Sequence, residues 1–204
     1  DLPNDPVASQ TSVQLTGVDT QRIIEQARQE DNQGNRIRLI RQMLFGELGI
    51  EDQDTMFLMH EFEWRKTDRQ CEVIFGNVRE LRDGSFESGG DDWKLVIDFP
   101  FDEAGHSPHD DLARLQQFRE EHREGSRTIA WVPSFFRPQA QGDLGLLVIL
   151  EHILAGERFD NYASVLAFQD RPVAEALLEN QRSQLRQRVL HHLEVAYGID
   201  RSST

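Results

Sequence analysis

The sequence of 204 residues predicts an α/β fold: a parallel-sheet core with a β-hairpin and helical flanking segments. Three observations predict it. Two apolar runs, WKLVIDF from Trp93 and RTIAWV from Arg127, are bounded by turn residues and read as strands buried on both faces. Between them, DLARLQQF places Leu112, Leu115 and Phe118 at helical spacing. Strand, helix and strand of these lengths form a crossover unit with parallel strands. Amphipathic stretches before Gly49 and after Asp170 then supply helices at both ends.

The elements follow in order. Residues 1–17 are rich in Pro, Ser, Asn and Thr and read as linker. The first residue is Asp1 and not Met, so the chain is expected to be a piece of a longer protein. Asp19 is placed to cap a helix carrying Ile23, Ile24 and Ala27. DNQGN interrupts it, and helical spacing resumes from Arg36 with Ile37, Ile40, Leu44 and Leu48 on one stripe, stopping at Gly49. Arg38 and Arg41 fall off that stripe and read as a solvated face. TMFLMHEFEW is a strand, KTDRQ its connection, and CEVIF the second strand of a hairpin. Gly76 and Asn77 mark a turn, VREL a helical turn, and RDGSFESGGDD a loop.

Asp110 or Asp111 is expected to cap the crossover helix, and Pro133 to end the second buried strand. Asp143 is expected to cap a helix running through Leu154. Asp170 caps the last and longest helix, with Pro172 in its first turn. Its stripe is Val173, Leu177, Leu185, Val189, Leu193 and Ala196, and Gly198 ends it. The chain divides into a linker with N-terminal helices (1–50), an α/β core (51–140) and a C-terminal helical segment (141–204).

Composition narrows the function. A net charge of −14 repels nucleic acid and anionic membrane, which carry the same sign. The acid is concentrated between Glu51 and Asp111, against Arg65, Lys66, Arg69, Arg79, Arg82 and Lys94 alone. The single cysteine, Cys71, has an apolar flank and no cation beside it, so it reads as a strand residue and not a nucleophile. One cysteine also excludes an internal disulfide and fits a reducing compartment. No signal peptide is visible. The most apolar run, Leu144 to Leu154, is too short to span a bilayer and contains Glu151 and His152.

The stretch KLVIDFPFDEAGHSPHDD carries the candidate chemistry. An apolar strand ending in Asp98 has the pattern of a Walker B strand, in a sheet of P-loop ATPase type. There the carboxylate holds Mg²⁺ through water while a second acid orients the attacking water. Asp102 or Glu103 would take the second role. Ser134, after the next strand, would sit near a terminal phosphate, and Arg137 would stabilise transferred charge. The phosphate loop G-x-x-x-x-G-K-[ST] does not occur in this sequence. The chain alone is therefore expected to be a poor or inactive ATPase, with ATP and Mg²⁺ belonging to the parent protein. Other readings compete. His106, His109, Asp102 and Asp110 could ligate Zn²⁺ or Fe²⁺. Asp92 and Lys94 with Asp98 or Asp102 form a weak nuclease pattern. No G-x-S-x-G supports a serine nucleophile, and His191 and His192 read as surface groups on a helix. In the plain structural reading, Asp98 is a strand-end cap and Pro100 turns the chain outward.

Several ordered blocks resemble one family. FGNVREL, WKLVIDFPFDEAGHSPHDDLARLQQFR, SRTIAWVPSFF, DLGLLVILEHILAGERFDNYA and LLENQRSQLRQRVLHHLEVAYGI are similar to the PglY-type large ATPases of the phage growth limitation systems, also called BREX. The resemblance runs from about Met56 to Ile199. It implies a segment of a very large, cytoplasmic, multidomain bacterial defence protein with a P-loop near its N-terminus. It also implies partners, a methyltransferase and a phosphatase-like protein among them. Within such a protein the segment would either supply the Walker B strand or be a non-catalytic interaction or scaffold module. The resemblance assigns no catalytic residue to any position here.

Overall fold

The computed structural model describes residues 17–53, 55–89, 92–122 and 126–199. Residues 1–16, and so almost all of the expected linker, lie outside them. The fold is α/β. One sheet of four strands has the order β1 (Phe57–Trp64), β2 (Thr67–Phe75), β3 (Trp93–Ile97), β4 (Thr128–Trp131). β1 and β2 are antiparallel, and β2, β3 and β4 run parallel.

The hairpin turns on Arg65 and Lys66 alone, both at positive φ (52° and 61°). A two-residue turn of this hand matches the strand twist. KTDRQ is therefore mostly the first half of β2 and not a connection. The sequence hid this because that half of the hairpin is exposed on both faces, so it lacks an alternating pattern.

The sheet separates two layers. Leu58, Val73, Phe75 and Ile97 point to one side and join the main core. Helices α1 (Thr20–Gln26), α2 (Gln33–Leu48), α4 (Pro138–Ile153), α5 (Arg158–Tyr162) and α6 (Arg171–Tyr197) complete that core. Ile74 and Val96 point to the other side, where they meet Val78, Phe86 and Phe118 of α3 (Pro108–Glu121). The helices cover only the carboxyl-end part of the sheet. Trp64, Trp93 and Ile129 on the main-core side, with Phe57 and Met59 on the other, remain exposed.

Local chemistry sets the helix ends. Asp19 accepts the Arg22 N–H at 3.3 Å, as expected. Asn32 accepts the Asn35 N–H at 3.0 Å, so α2 starts at Gln33, three residues earlier than the spacing suggested. Gly49 (φ 66°) and Gly198 (φ 65°) close α2 and α6 in the left-handed conformation. Three expectations are corrected. The cap of α3 is Ser107, whose N–H donates to Asp110 Oδ2 at 2.7 Å, and Pro108 opens the first turn. α4 begins at Pro138, which leaves Asp143 inside the helix, paired with Arg188 and His192 of α6. Val173 is exposed, and the buried stripe of α6 starts at Ala174 and continues through Leu178, Leu185, Val189, Leu193 and Ala196. No helix among the described residues is long and apolar enough to cross a membrane.

α4 is the central helix, with Leu144, Leu147, Leu150 and Ile153 fully buried. Gly145 lets the chain before α2 come close. A Cβ there would collide with Asp31 Oδ2 and would lie 2.6 Å from Arg36 Nη2. Those two residues form a bidentate pair, Nε to Oδ1 at 2.5 Å and Nη2 to Oδ2 at 2.8 Å. Alanine is the better helix former by roughly 1 kcal/mol. Gly145→Ala is nonetheless expected to destabilise the fold by about 1–3 kcal/mol, the typical cost of overpacking. Urea unfolding measures it, and a stabilised variant would contradict this packing.

Candidate functional site

The candidate residues gather where β2, β3 and β4 end. β2 passes through Gly76, whose N–H donates to Ile97 O at 3.0 Å, into the turn Asn77–Arg79. That turn aims two backbone donors at carboxyl groups. Val78 N–H donates to Asp98 Oδ1 at 2.8 Å, and Arg79 N–H to Asp111 Oδ1 at 3.2 Å. Asp98 and Asp111 are each 1% exposed. Their Oδ2 atoms are buried without any N–H or O–H donor. The two side chains interact directly with each other. Two carboxylates offer no donor between them, so the contact holds only when one carries a proton.

Burial is the main cause that pushes Asp98 up to about 7, reinforced by Asp111 and opposed by the Val78 N–H. Burial likewise raises Asp111. The backbone of Asp98 is tied in as well. Its N–H donates to Trp131 O at 3.0 Å, and its carbonyl accepts the Tyr197 hydroxyl at 2.6 Å.

Asp102 sits beside this pair in a different state. Arg79 grips it with Nε to Oδ2 at 2.8 Å and Nη2 to Oδ1 at 2.9 Å. Asn77 Nδ2 at 3.0 Å and the Glu103 N–H at 2.7 Å complete the shell. The guanidinium holds Asp102 below the usual carboxylate range, so it stays ionised.

The other predicted residues stand apart. Glu103 is exposed at the rim and contributes its backbone N–H. Ser134 donates its N–H (3.0 Å) and its hydroxyl (3.4 Å) to Ala196 O at the end of α6. Arg137 is exposed at the N-cap of α4. His106 lies 3.7 Å from Asp110, and His109 is exposed. Lys94 is buried against Glu72 (3.4 Å) and Gly84 O (3.4 Å). Cys71 is half-buried in β2, and burial pushes its thiol up, which disfavours the reactive thiolate.

Sequence reasoning missed Asn77, Arg79, Asp111 and Tyr197 as parts of this cluster. Arg79 had a signal: it is one of the few cations in the acidic stretch, two residues after a turn. Asp111 read as a cap because it begins a helical pattern.

The fold and site define an α/β module, capped by helices, whose strand-end acids are turned inward on backbone donors and one arginine. The PglY fourth domain family matches residues 23–204, and the chain belongs to that family. No solved structure matches it.

A pH dependence follows. Asp98 has a raised pKa, so its contribution is complete below the unfolded value of 3.8 and is lost as pH rises through about 7. The Asp102–Arg79 pair has the opposite sign, since the lowered pKa of Asp102 makes its contribution disappear on acidification below that same value. Wild type is expected to lose roughly 5–10 °C of Tm between about pH 5 and pH 8. Asp98→Asn keeps an acceptor for Val78 and adds a permanent donor toward Asp111. It is expected to flatten that dependence and to melt above wild type at about pH 8. Parallel Tm profiles for the two proteins would contradict the shared proton.

Proposed function

We propose that this domain is a non-catalytic interaction and scaffold module of a large bacterial anti-phage defence protein of the PglY type, working in a phage growth limitation (BREX) setting. The observation that carries this reading is the inward use of the acids. Asp98 spends one oxygen on Val78 N–H and buries the other beside the equally buried Asp111, and Asp102 is filled by Arg79, Asn77 and Glu103. A carboxylate that binds hydrated Mg²⁺ needs an ionised, open oxygen. The uncovered part of the sheet supports docking. Phe57, Met59, Trp64 and Trp93 leave apolar surface beside acidic groups such as Glu61 and Glu63. Partners would be other proteins of the cytoplasmic defence assembly, a methyltransferase or a phosphatase-like protein.

The Walker B reading has one observation in its favour: Asp98 does follow a parallel strand flanked by two others. In that reading Asp98 would hold Mg²⁺ through water in the parent ATPase, with Asp102 or Glu103 positioning the attacking water and Ser134 and Arg137 beside the phosphates. ATP turnover by the intact parent protein separates the two. Asp98→Asn and Glu103→Gln are expected to stay within about twofold of wild type. A loss on the order of a hundredfold with unchanged melting would put Asp98 at the active site, because removing one transition-state contact costs about that much.

A further inference from the structure

The connection before β3 and the last turn of α3 bring a second set of ligating groups together, away from the acid pair. Asp83, Glu121 and His122 each offer one ligand atom, and these atoms lie within 4.8 Å of one another. Glu87 Oε1 is 3.7 Å from His122 Nε2. The imidazole is held from behind. It stacks on Phe118 with centroids 4.4 Å apart and planes at 21°, and its Nδ1 lies 3.2 Å from Phe118 O.

A carbonyl can only accept, so Nδ1 donates to it, and Nε2 is the ring nitrogen turned to Glu87. Nε2 stands 3.7 Å from Glu87 Oε1, beyond hydrogen-bond reach, and a cation set among these groups gives the ring nitrogen and the carboxylates a common partner. A backbone carbonyl on the far nitrogen is also how metal-ligating histidines are oriented. Arg114 pairs with Asp83 Oδ1 and lies over the Phe86 ring at 5.2 Å, which fixes Asp83 from its other side. With Arg114 counted against Asp83, Glu87 and Glu121 leave two negative charges, the complement of one divalent ion.

We propose that Asp83, Glu121 and His122, with Glu87 at the rim, bind a borderline divalent metal ion of the Zn²⁺ type. The imidazole selects against Mg²⁺ and Ca²⁺, which prefer all-oxygen shells. The ion clips residues 83–87 to the end of α3. Phe86 and Phe118, 5.3 Å apart, lie beneath that clip, so metal binding and the second core are coupled. This site is separate from the Asp98 cluster and does not depend on whether that cluster is catalytic.

The test titrates ZnCl2, and MgCl2 for comparison, into EDTA-treated and dialysed protein by calorimetry, with thermal melts alongside. Wild type is expected to bind one Zn²⁺ per chain, at least roughly tenfold tighter than Mg²⁺, and to gain several degrees of Tm. His122→Gln and Glu121→Gln are each expected to weaken Zn²⁺ by roughly tenfold or more, while His191→Gln, at an exposed histidine outside the site, leaves it unchanged. Absence of binding below about 1 mM, or equal affinity in wild type and His122→Gln, would overturn the proposal. If His122→Gln fails to fold, Glu121→Gln decides, since Glu121 is exposed and its amide keeps the shape of the side chain.

Discussion

The contact between Asp98 and Asp111 fixes how three parts of the chain meet. Asp98 closes β3, Asp111 lies in the first turn of α3, and both accept backbone donors from the turn after β2. Each carboxyl is almost fully buried, so each must be satisfied where it stands or cost several kcal/mol. Burial raises both carboxyl groups, and one proton held between them would do this without an added cation. The same aspartate carries the C-terminal helix through its carbonyl, which accepts the Tyr197 hydroxyl. Strand, turn, crossover helix and last helix are thus tied at one residue.

The two layers around the sheet differ in how they are held. The main core is built on α4, whose apolar face meets α6 along its length and whose Gly145 admits the Asp31–Arg36 pair. The opposite layer is small: Phe86, Phe118 and Val78 over Ile74 and Val96. It is held in large part by polar ties from the connection after β2 to α3, with Arg79 N–H on Asp111 and Arg114 on Leu81 O and Asp83. The acids of this region, which composition alone would assign to a solvated face, are used to fasten a thin layer to the sheet.

Much of the fold was legible. Strands β3 and β4 showed as apolar runs between turn residues, and their crossover helix followed from Leu112, Leu115 and Phe118, although Leu112 proves exposed. What failed was local competition between caps. Ser107, Asp110 and Asp111 all suit a helix start, and the choice was made by Asp110 reaching back to the Ser107 N–H while Asp111 was drawn inward. Asp143 suited a start as well, but Pro138 begins the helix earlier and Asp143 instead meets Arg188. The candidate site was legible in part. The position of Asp98 at a strand end could be read from the apolar run before it. Its partner thirteen residues on could not, because that pairing depends on how the helix is docked and not on any periodicity.

The proposal of a non-catalytic module stands on Asp98 facing inward and sharing a proton with Asp111. Carbon-detected NMR titration of the aspartate carboxyl groups in the folded protein tests this most directly. The account predicts an upper titration step of the Asp98–Asp111 pair near 7, as buried coupled acids show. Both groups titrating in the ordinary range near 4 would contradict it and return Asp98 to the ionised state that metal binding requires.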